Sequence, residues 1–597
     1  MYEKFAELAD SELDMALDKL PSDPLEKFAL FAEVTRALDY SAVFQAALEN
    51  SGQLSRPDFD LLLWGWNAAM SHLLTPIRSA GLPLYKSTKD TRQFAMNLLH
   101  KFGQSVLLRR ASAMLRSGFL HAQNTTEGLT VRLADGAKDQ FLDDLEFDSF
   151  AKIHNQLQKQ NVRFYRGWQL FENDDYPSVQ EVPGYFLGRT TQRPLEKYKS
   201  ENIDELMLPL VHPWDSGRGM MMGYGALPEV DNHFLAEAAE IVAQARDEAG
   251  LHPDAKLGNI TGADLSAIIT FVTAVHMKHV RFALLAMNAF PEISIPQSLT
   301  IWGPLNELED SIVDYSRIHR DRVRHALDAI VLRPEEAFQL RNVTFPFLPL
   351  LLSVGNGLIL RPVSSLVRNP FIAARTLFEW RHPNSSHWIS EPREEWLRSE
   401  VYALFQGTRY QRVNGNVKIR RDHKVLTDVD AAVYDRLTGQ LALFQLKWQD
   451  YFTNDVRELR SKARNLATEL DTWAEKVDAW IKLKGLPELT TALRLKLNKG
   501  ERVTSVYLFG LSRSYARMHG FGFPVTSEKL AICNWPQFLR TRYEIGPRQR
   551  VFSSMFERLR NEIDAKVDSR PMPYTVQVGK VVIRFEDLWS AFGEDDV

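Results

Sequence analysis

Apolar residues recur at intervals of three and four through most of the first two thirds of this chain. Near residue 430 the interval changes to two. The first spacing predicts helices with one buried stripe, the second half-buried strands. Residues 1–50 carry two or three amphipathic helices separated by Pro21-Ser22-Asp23-Pro24. Residues 59–74, with Trp64 and Trp66, read as a buried helix, and residues 91–117 as one or two more. Leu129-Thr130-Val131-Arg132-Leu133 alternates as a short strand after them. Long helical patterns resume over 233–333, broken near Gly258 and Pro291. Residues 343–360 are the most apolar stretch, but Pro346, Pro349, Gly355, Asn356 and Gly357 interrupt it. That stretch is read as buried core and loop, not a membrane span.

Pro383-Asn384-Ser385-Ser386 is a polar, turn-forming boundary. Beyond it the order is a helix over 391–406, opened by Ser390, Pro392 and a cluster of acids, and then an alternating strand over 410–421. A hairpin over 427–448, a long helix over 453–483 and a buried strand over 503–509 follow, and residues 574–585 alternate as a small hairpin. The fold class expected is α+β: a large, mostly helical N-terminal region followed by an α/β domain with a mixed central sheet. The domains expected are 1–135 (helical), 136–385 (mostly helical), 386–550 (α/β) and 551–597 (a helix and hairpin).

The hairpin carries the candidate chemistry. Its first run is Thr427-Asp428-Val429-Asp430-Ala431-Ala432-Val433-Tyr434, and its second is Leu441-Ala442-Leu443-Phe444-Gln445-Leu446-Lys447-Trp448. Side chains alternate faces along a strand. Asp428 and Asp430 therefore share one face, as do Gln445 and Lys447, with Val429, Val433, Phe444 and Leu446 expected opposite. A two-residue loop at Thr438-Gly439 sets Asp430 against Lys447. A four-residue loop over 436–439 sets it against Gln445. Either register gathers an acid, an amide and an amine.

This order of elements, with Asp430 and the triplet Gln445-Leu446-Lys447, resembles the PD-(D/E)XK nuclease superfamily, whose fold is restriction-endonuclease-like. The nearest likeness is to its Mrr-like branch, in which Gln often opens the triplet. The resemblance covers residues 391–510, about a fifth of the chain. It implies a metal-dependent endodeoxyribonuclease using Mg²⁺ or Mn²⁺, with Asp430 as central ligand and the Gln445 oxygen in place of a carboxylate. Lys447 would orient the attacking water or stabilise the negative charge that develops at the phosphate. The family also carries an acid on the preceding helix. Glu394, Glu395 and Glu400 are available, and Glu400 falls within the apolar stripe of Trp396, Leu397, Val401, Leu404 and Phe405, where an unpaired carboxylate is costly. Glu400 is therefore the expected acid, as a ligand or as a residue holding Lys447 or a metal-bound water; at the stripe's edge it would instead reach solvent. Asp428 is a candidate neighbour of the site. By the same resemblance, such architectures act in bacterial restriction and anti-phage defence, with the helical region sensing, regulating or oligomerising and a partner defence protein in attendance. The alternative is a module of the same fold that binds nucleic acid or protein without cutting.

Composition adjusts this picture in two respects. The net charge of −4 excludes a uniformly basic nucleic-acid binder. Six Lys/Arg between Arg409 and Lys424, with one acid among them, nonetheless form a local patch, and Lys418, Arg420 and Arg421 are its candidate DNA contacts. The single Cys533 excludes an intramolecular disulfide, and no apolar N-terminal leader is legible, so a cytoplasmic protein is expected. There is no GxxxxGK[ST] and no HExxH. His276 and His279 read as ordinary helix histidines. Arg317, Arg320, Arg322 and Arg324, with His319 and His325, read as a solvated face.

Overall fold

The computed structural model describes residues 1–75, 86–126, 128–134, 200–343, 345–384, 393–448, 456–512, 527–535, 538, 541–542, 545, 550–563 and 569–592. The chain divides into two units. One comprises residues 1–129, 187–389 and 575–584, and the other residues 130–186, 390–574 and 585–597. The expected boundary after residue 385 thus lies four residues from the observed one. The expected separation of 1–135 from 136–385 does not hold, because both stretches contribute to one unit. Asp39 accepts from Thr300 Oγ1 at 2.6 Å and from Ser364 N at 2.8 Å, and Asn67 Nδ2 donates to Phe345 O at 2.7 Å. Residues 136–199 of the expected middle domain lie outside the described residues.

The first unit is mainly helical, as its period of three to four requires. Arg56–Leu73 starts on a capping box in which Ser55 and Asp58 satisfy each other's backbone, with Pro57 in the first turn. It packs against Lys89–Arg116 so closely that a Cβ on Gly65 would stand 1.9 Å from Leu99 O, and one on Gly103 2.0 Å from Leu61 O. Gly262–Ala289, capped by Thr261 and Asp264, is the one helix among the described residues long and apolar enough to cross a membrane. It is a core helix: His276 and His279 are buried on it, and His279 Nε2 contacts Ser298 O at 2.7 Å. Burial holds both imidazoles below their usual value, His279 at about 4, which fits neutral structural histidines.

The apolar stretch over 343–360 is buried core, with residues 345–350 outside any strand, but its second half is sheet. Leu351–Gly355 and Leu358–Arg361 turn through Asn356 and Gly357, at φ 52° and 71°. They are the inner strands of a four-stranded sheet flanked by Ile301–Pro304 and Val331–Leu332. The basic turn after Arg317 is not simply solvated. Arg320 and Arg324 bind Glu309, and Arg322 binds Asp264.

In the second unit the elements are α1 (Arg393–Ala403), β1 (Tyr410–Arg412), β2 (Val417–Arg421), β3 (Lys424–Val429), β4 (Ala431–Asp435) and β5 (Gln440–Lys447). Next come α2 (Val456–Ala492, kinked at Gly485), β6 (Ser505–Ser512), β7 (Leu530–Asn534) and α3 (Val551–Ile563). The mixed sheet runs β1-β4-β5-β6-β7, antiparallel at β1/β4 and β4/β5 and parallel beyond. One face carries Val433, Ala442, Phe444 and Leu446 against α1 and α3. The other carries Ala432, Tyr434, Leu441 and Leu443 against Trp473, Val477 and Trp480 of α2. Both faces are therefore buried, whereas the strand pattern had suggested one. Val429 joins the α2 face, not that of Val433, because the chain bends at Asp430 between β3 and β4.

The strand expected over 410–421 is two. The chain turns at Gly415, φ 72°, and β2 pairs with β3 in its own ribbon, closed by Asp422 and His423 at φ 50° and 65°. Positive φ at both central residues is the turn that matches strand twist. α3 belongs to this unit's core through Val551, Phe552, Met555 and Leu559, so residues 551–563 are not part of a separate tail. Residues 574–585 fall within paired strands Ser569–Val578 and Val581–Phe592.

Candidate metal and nucleic-acid site

The β4/β5 loop has four residues, Asp435 pairing with Gln440 and Ala431 with Phe444. Of the two registers the sequence allows, this one sets Asp430 beside Gln445. The loop is fixed by Asp435, which is fully buried. It accepts a forked pair from Arg409 at 2.8 and 2.7 Å and bonds from Leu437 N and Thr438 Oγ1. Gly439 closes it at φ 72°, where a Cβ would meet Arg502 O at 2.8 Å. Two of the six basic residues in the local patch thus have structural work, since Arg412 also bonds Gln406.

Asp430 is 3% exposed. Its Oδ2 accepts from Gln445 Nε2 at 2.6 Å and from Leu446 N at 2.8 Å. Among the described residues its Oδ1 has only a long bond from Asn416 Nδ2, 3.3 Å, and the same amide reaches Asp428 Oδ2 at 3.2 Å. Burial pushes the carboxyl up to about 7; the Leu446 N–H opposes the shift, Glu394 and Asp428 add to it, and Lys447 pulls against it. Glu394 of α1 is thus one acid whose charge reaches Asp430. Glu400 is buried in the stripe at 2% exposed. The bend itself is held by Arg398, which donates to Asp430 O at 2.5 Å and to Glu395 and Glu394 at 3.0 and 2.8 Å.

The other half of the Gln445 amide points to a missing partner. Its Oε1 is buried and, among the described residues, accepts no hydrogen bond. A buried polar atom left unbonded costs about 1–3 kcal/mol, so this oxygen calls for a donor or a cation. Lys447 stands 3.0 Å from Glu469 Oε2 of α2, its side chain 29% exposed. The charges gathered at this end of the sheet thus include Asp430, Asp428, Glu394, Glu395, Arg398, Lys447 and Glu469. Among the described residues no group of three or more His, Cys, Asp or Glu side chains converges on one point. A cation here would rely on carboxylate plus amide and carbonyl oxygens, a donor set suited to Mg²⁺ or Mn²⁺, with water completing the shell.

The β2/β3 ribbon presents Lys418, Arg420 and Arg421 outward, all exposed, while Ile419 is buried. Among the described residues Arg420 and Arg421 make only local contacts, to His423 O at 3.3 Å and to Asp422 at 3.7 Å. Two indoles of α2 fasten the ribbon: Trp473 Nε1 donates to Asp428 O at 2.7 Å and Trp480 Nε1 to Arg420 O at 2.9 Å. Sequence reasoning named Asp430, Gln445, Lys447 and Asp428 but missed Asn416, Arg398 and Glu469. The run Asn414-Gly415-Asn416 was a legible turn signal, and Glu394/Arg398 is an i, i+4 pair. Nothing local marks Glu469. Neither protein-family models, curated proteins nor solved structures show a match to this chain.

Proposed function

We propose that the second unit is a PD-(D/E)XK-type nuclease domain that hydrolyses DNA phosphodiesters with Mg²⁺ or Mn²⁺, in a cytoplasmic protein of bacterial restriction or anti-phage defence. The observation that carries this reading is the pairing of a buried, uncharged-leaning Asp430 with the unsatisfied oxygen of Gln445, beside Lys447. In a purely structural role, a neutral or apolar pair would serve the sheet end at lower cost. The two electron-rich groups suit a site whose missing component is a cation. Asp430 and the Gln445 oxygen would hold it, with Asp428 adjacent. Bound there, the ion supplies neutralisation of phosphate charge and acidification of water. Lys447 offers a point cation to negative charge that grows on the phosphate during cleavage, and Glu469 fixes where its ammonium sits. The β2/β3 ribbon would lie along the DNA backbone and position the strand.

Incubation of the full chain with plasmid DNA in Mg²⁺ or Mn²⁺ tests this. Cleavage lost in Asp430→Ala and in Lys447→Ala supports the reading. Equal cleavage by both variants and wild type would refute the site. A second reading, binding without cleavage, is favoured by one observation: the carboxylate usual at the triplet's first position is the uncharged Gln445. Retention of plasmid by the wild type with no cleavage in either metal, and unchanged retention by Asp430→Ala, would select it.

A further inference from the structure

Outside that site, the first unit carries an open pocket of about 720 Å³ between Gly262–Ala289, the helix Leu305–Ser316 and the sheet strand Ile301–Pro304. This is within the range of small-molecule pockets, roughly 300–1,000 Å³. Its walls include Phe234, Phe271, Trp302 and Tyr315, and at one side stands Arg361 from the adjacent strand. The Arg361 guanidinium has five N–H donors, yet among the described residues none makes a hydrogen bond, and its Nε is buried. Trp302 Nε1 is likewise buried and unbonded. The other cation of the lining, Lys278, is already paired with Asp231 at 2.5 Å. Glu307 is the acid whose charge reaches Arg361, and burial pulls the guanidinium below its ordinary value. Arg361 Nη2 lies 3.6 Å from where a Cβ of Gly303 would be, so the guanidinium passes alongside that strand residue.

A forked cation without a partner, facing a space walled by aromatic rings, matches the recognition of a planar anion: the fork takes two oxygens and the rings take the apolar plane. We propose that this pocket binds a small molecule consisting of a planar ring system and a phosphate or carboxylate, with Arg361 as the anion clamp. The chemistry is the same for either acid group. The proposal is independent of the nuclease reading, since no residue of the second unit contributes.

Titration calorimetry on the full chain with 1-naphthyl phosphate, 1-naphthoate, 1-naphthol and inorganic phosphate tests it. The expected result is binding of at least one naphthyl anion with Kd below about 1 mM and at least tenfold preference over naphthol. Phosphate alone should bind more weakly than naphthyl phosphate. Arg361→Gln should remove the preference for the anion. Should that variant fail to fold, Ser311→Trp decides instead: Ser311 is exposed on the helix at the pocket wall, so an indole there obstructs the space without entering the core. It should abolish binding of all naphthyl probes while leaving the melting temperature without ligand unchanged. Equal affinity for naphthol and both anions, no binding of either anion by the wild type, or binding unaltered by Ser311→Trp would overturn the proposal.

Discussion

Asp430 sets the terms for the residue scale. Its folded value of about 7 lies above an unfolded value near 4. A carboxyl raised in this way costs the folded state nothing below pH 4. Its cost grows as pH rises from about 4 to about 7 and is complete above that, at an upper bound of roughly 4 kcal/mol. Asp430→Asn should therefore melt higher than wild type at pH 8 in chelator, by about 1–3 kcal/mol, and match it at pH 4. The same substitution should erase any rise in melting temperature on adding Mn²⁺, which the wild type should show increasingly between pH 6 and 8 as proton and cation compete. Melting curves at the two pH values, with and without Mn²⁺, check both parts. An Asn variant less stable than wild type at pH 8 without metal would mean that Asp430 is held for its hydrogen bonds alone.

Elements succeed or fail here through a few close contacts. The helices Arg56–Leu73 and Lys89–Arg116 approach at Gly65 and Gly103, each glycine against the other helix's backbone. A backbone atom about 2 Å from a new Cβ has no side chain to swing aside. Gly103→Ala should cost on the order of 3 kcal/mol despite alanine's better helix propensity, as read by urea unfolding. A stabilised variant would show that the helices separate freely. In the second unit, the β2/β3 ribbon is tied to α2 by the Trp473 and Trp480 indoles. Trp480→Phe keeps most of the ring but loses the bond to Arg420 O, worth about 1 kcal/mol. Hydrogen exchange should quicken several-fold at amides 418–429 and stay unchanged in β5 and β6. Uniform quickening across both would show that the ribbon has no independent anchoring.

At the scale of the whole molecule, the charge of −4 conceals a ribbon that carries Lys418, Arg420 and Arg421, free of distant ion pairs among the described residues. Each phosphate neutralised contributes about 0.9 to the slope of log affinity against log salt. The triple alanine variant should lower that slope by about 2–3 in filter-binding or anisotropy titrations with duplex DNA, while Mn²⁺ still raises its melting temperature. A slope equal to wild type would place the DNA elsewhere on the chain. The loss of ion response alongside DNA affinity would show instead that the substitutions had disturbed the Asp430 bend.

Local periodicity determined much of this protein. It located the helices of the first unit, the boundary near residue 386 and the hairpin that joins Asp430, Gln445 and Lys447, because each is set by residues close in sequence whose side-chain spacing follows backbone geometry. Arrangement over long distances needed the tertiary structure. The four-residue loop, hence the partner of Asp430, was settled by Arg409 locking Asp435 and by the fit of Gly439 beneath Arg502. Burial of both sheet faces came from α2 and α3, which the strand pattern alone does not contain. That Glu394 on α1 adds to the shift of Asp430, and that Arg398 of the same helix donates to the Asp430 carbonyl, depends on where the helix meets the bend. A sequence records which side chains share a face. Only packing decides which faces meet.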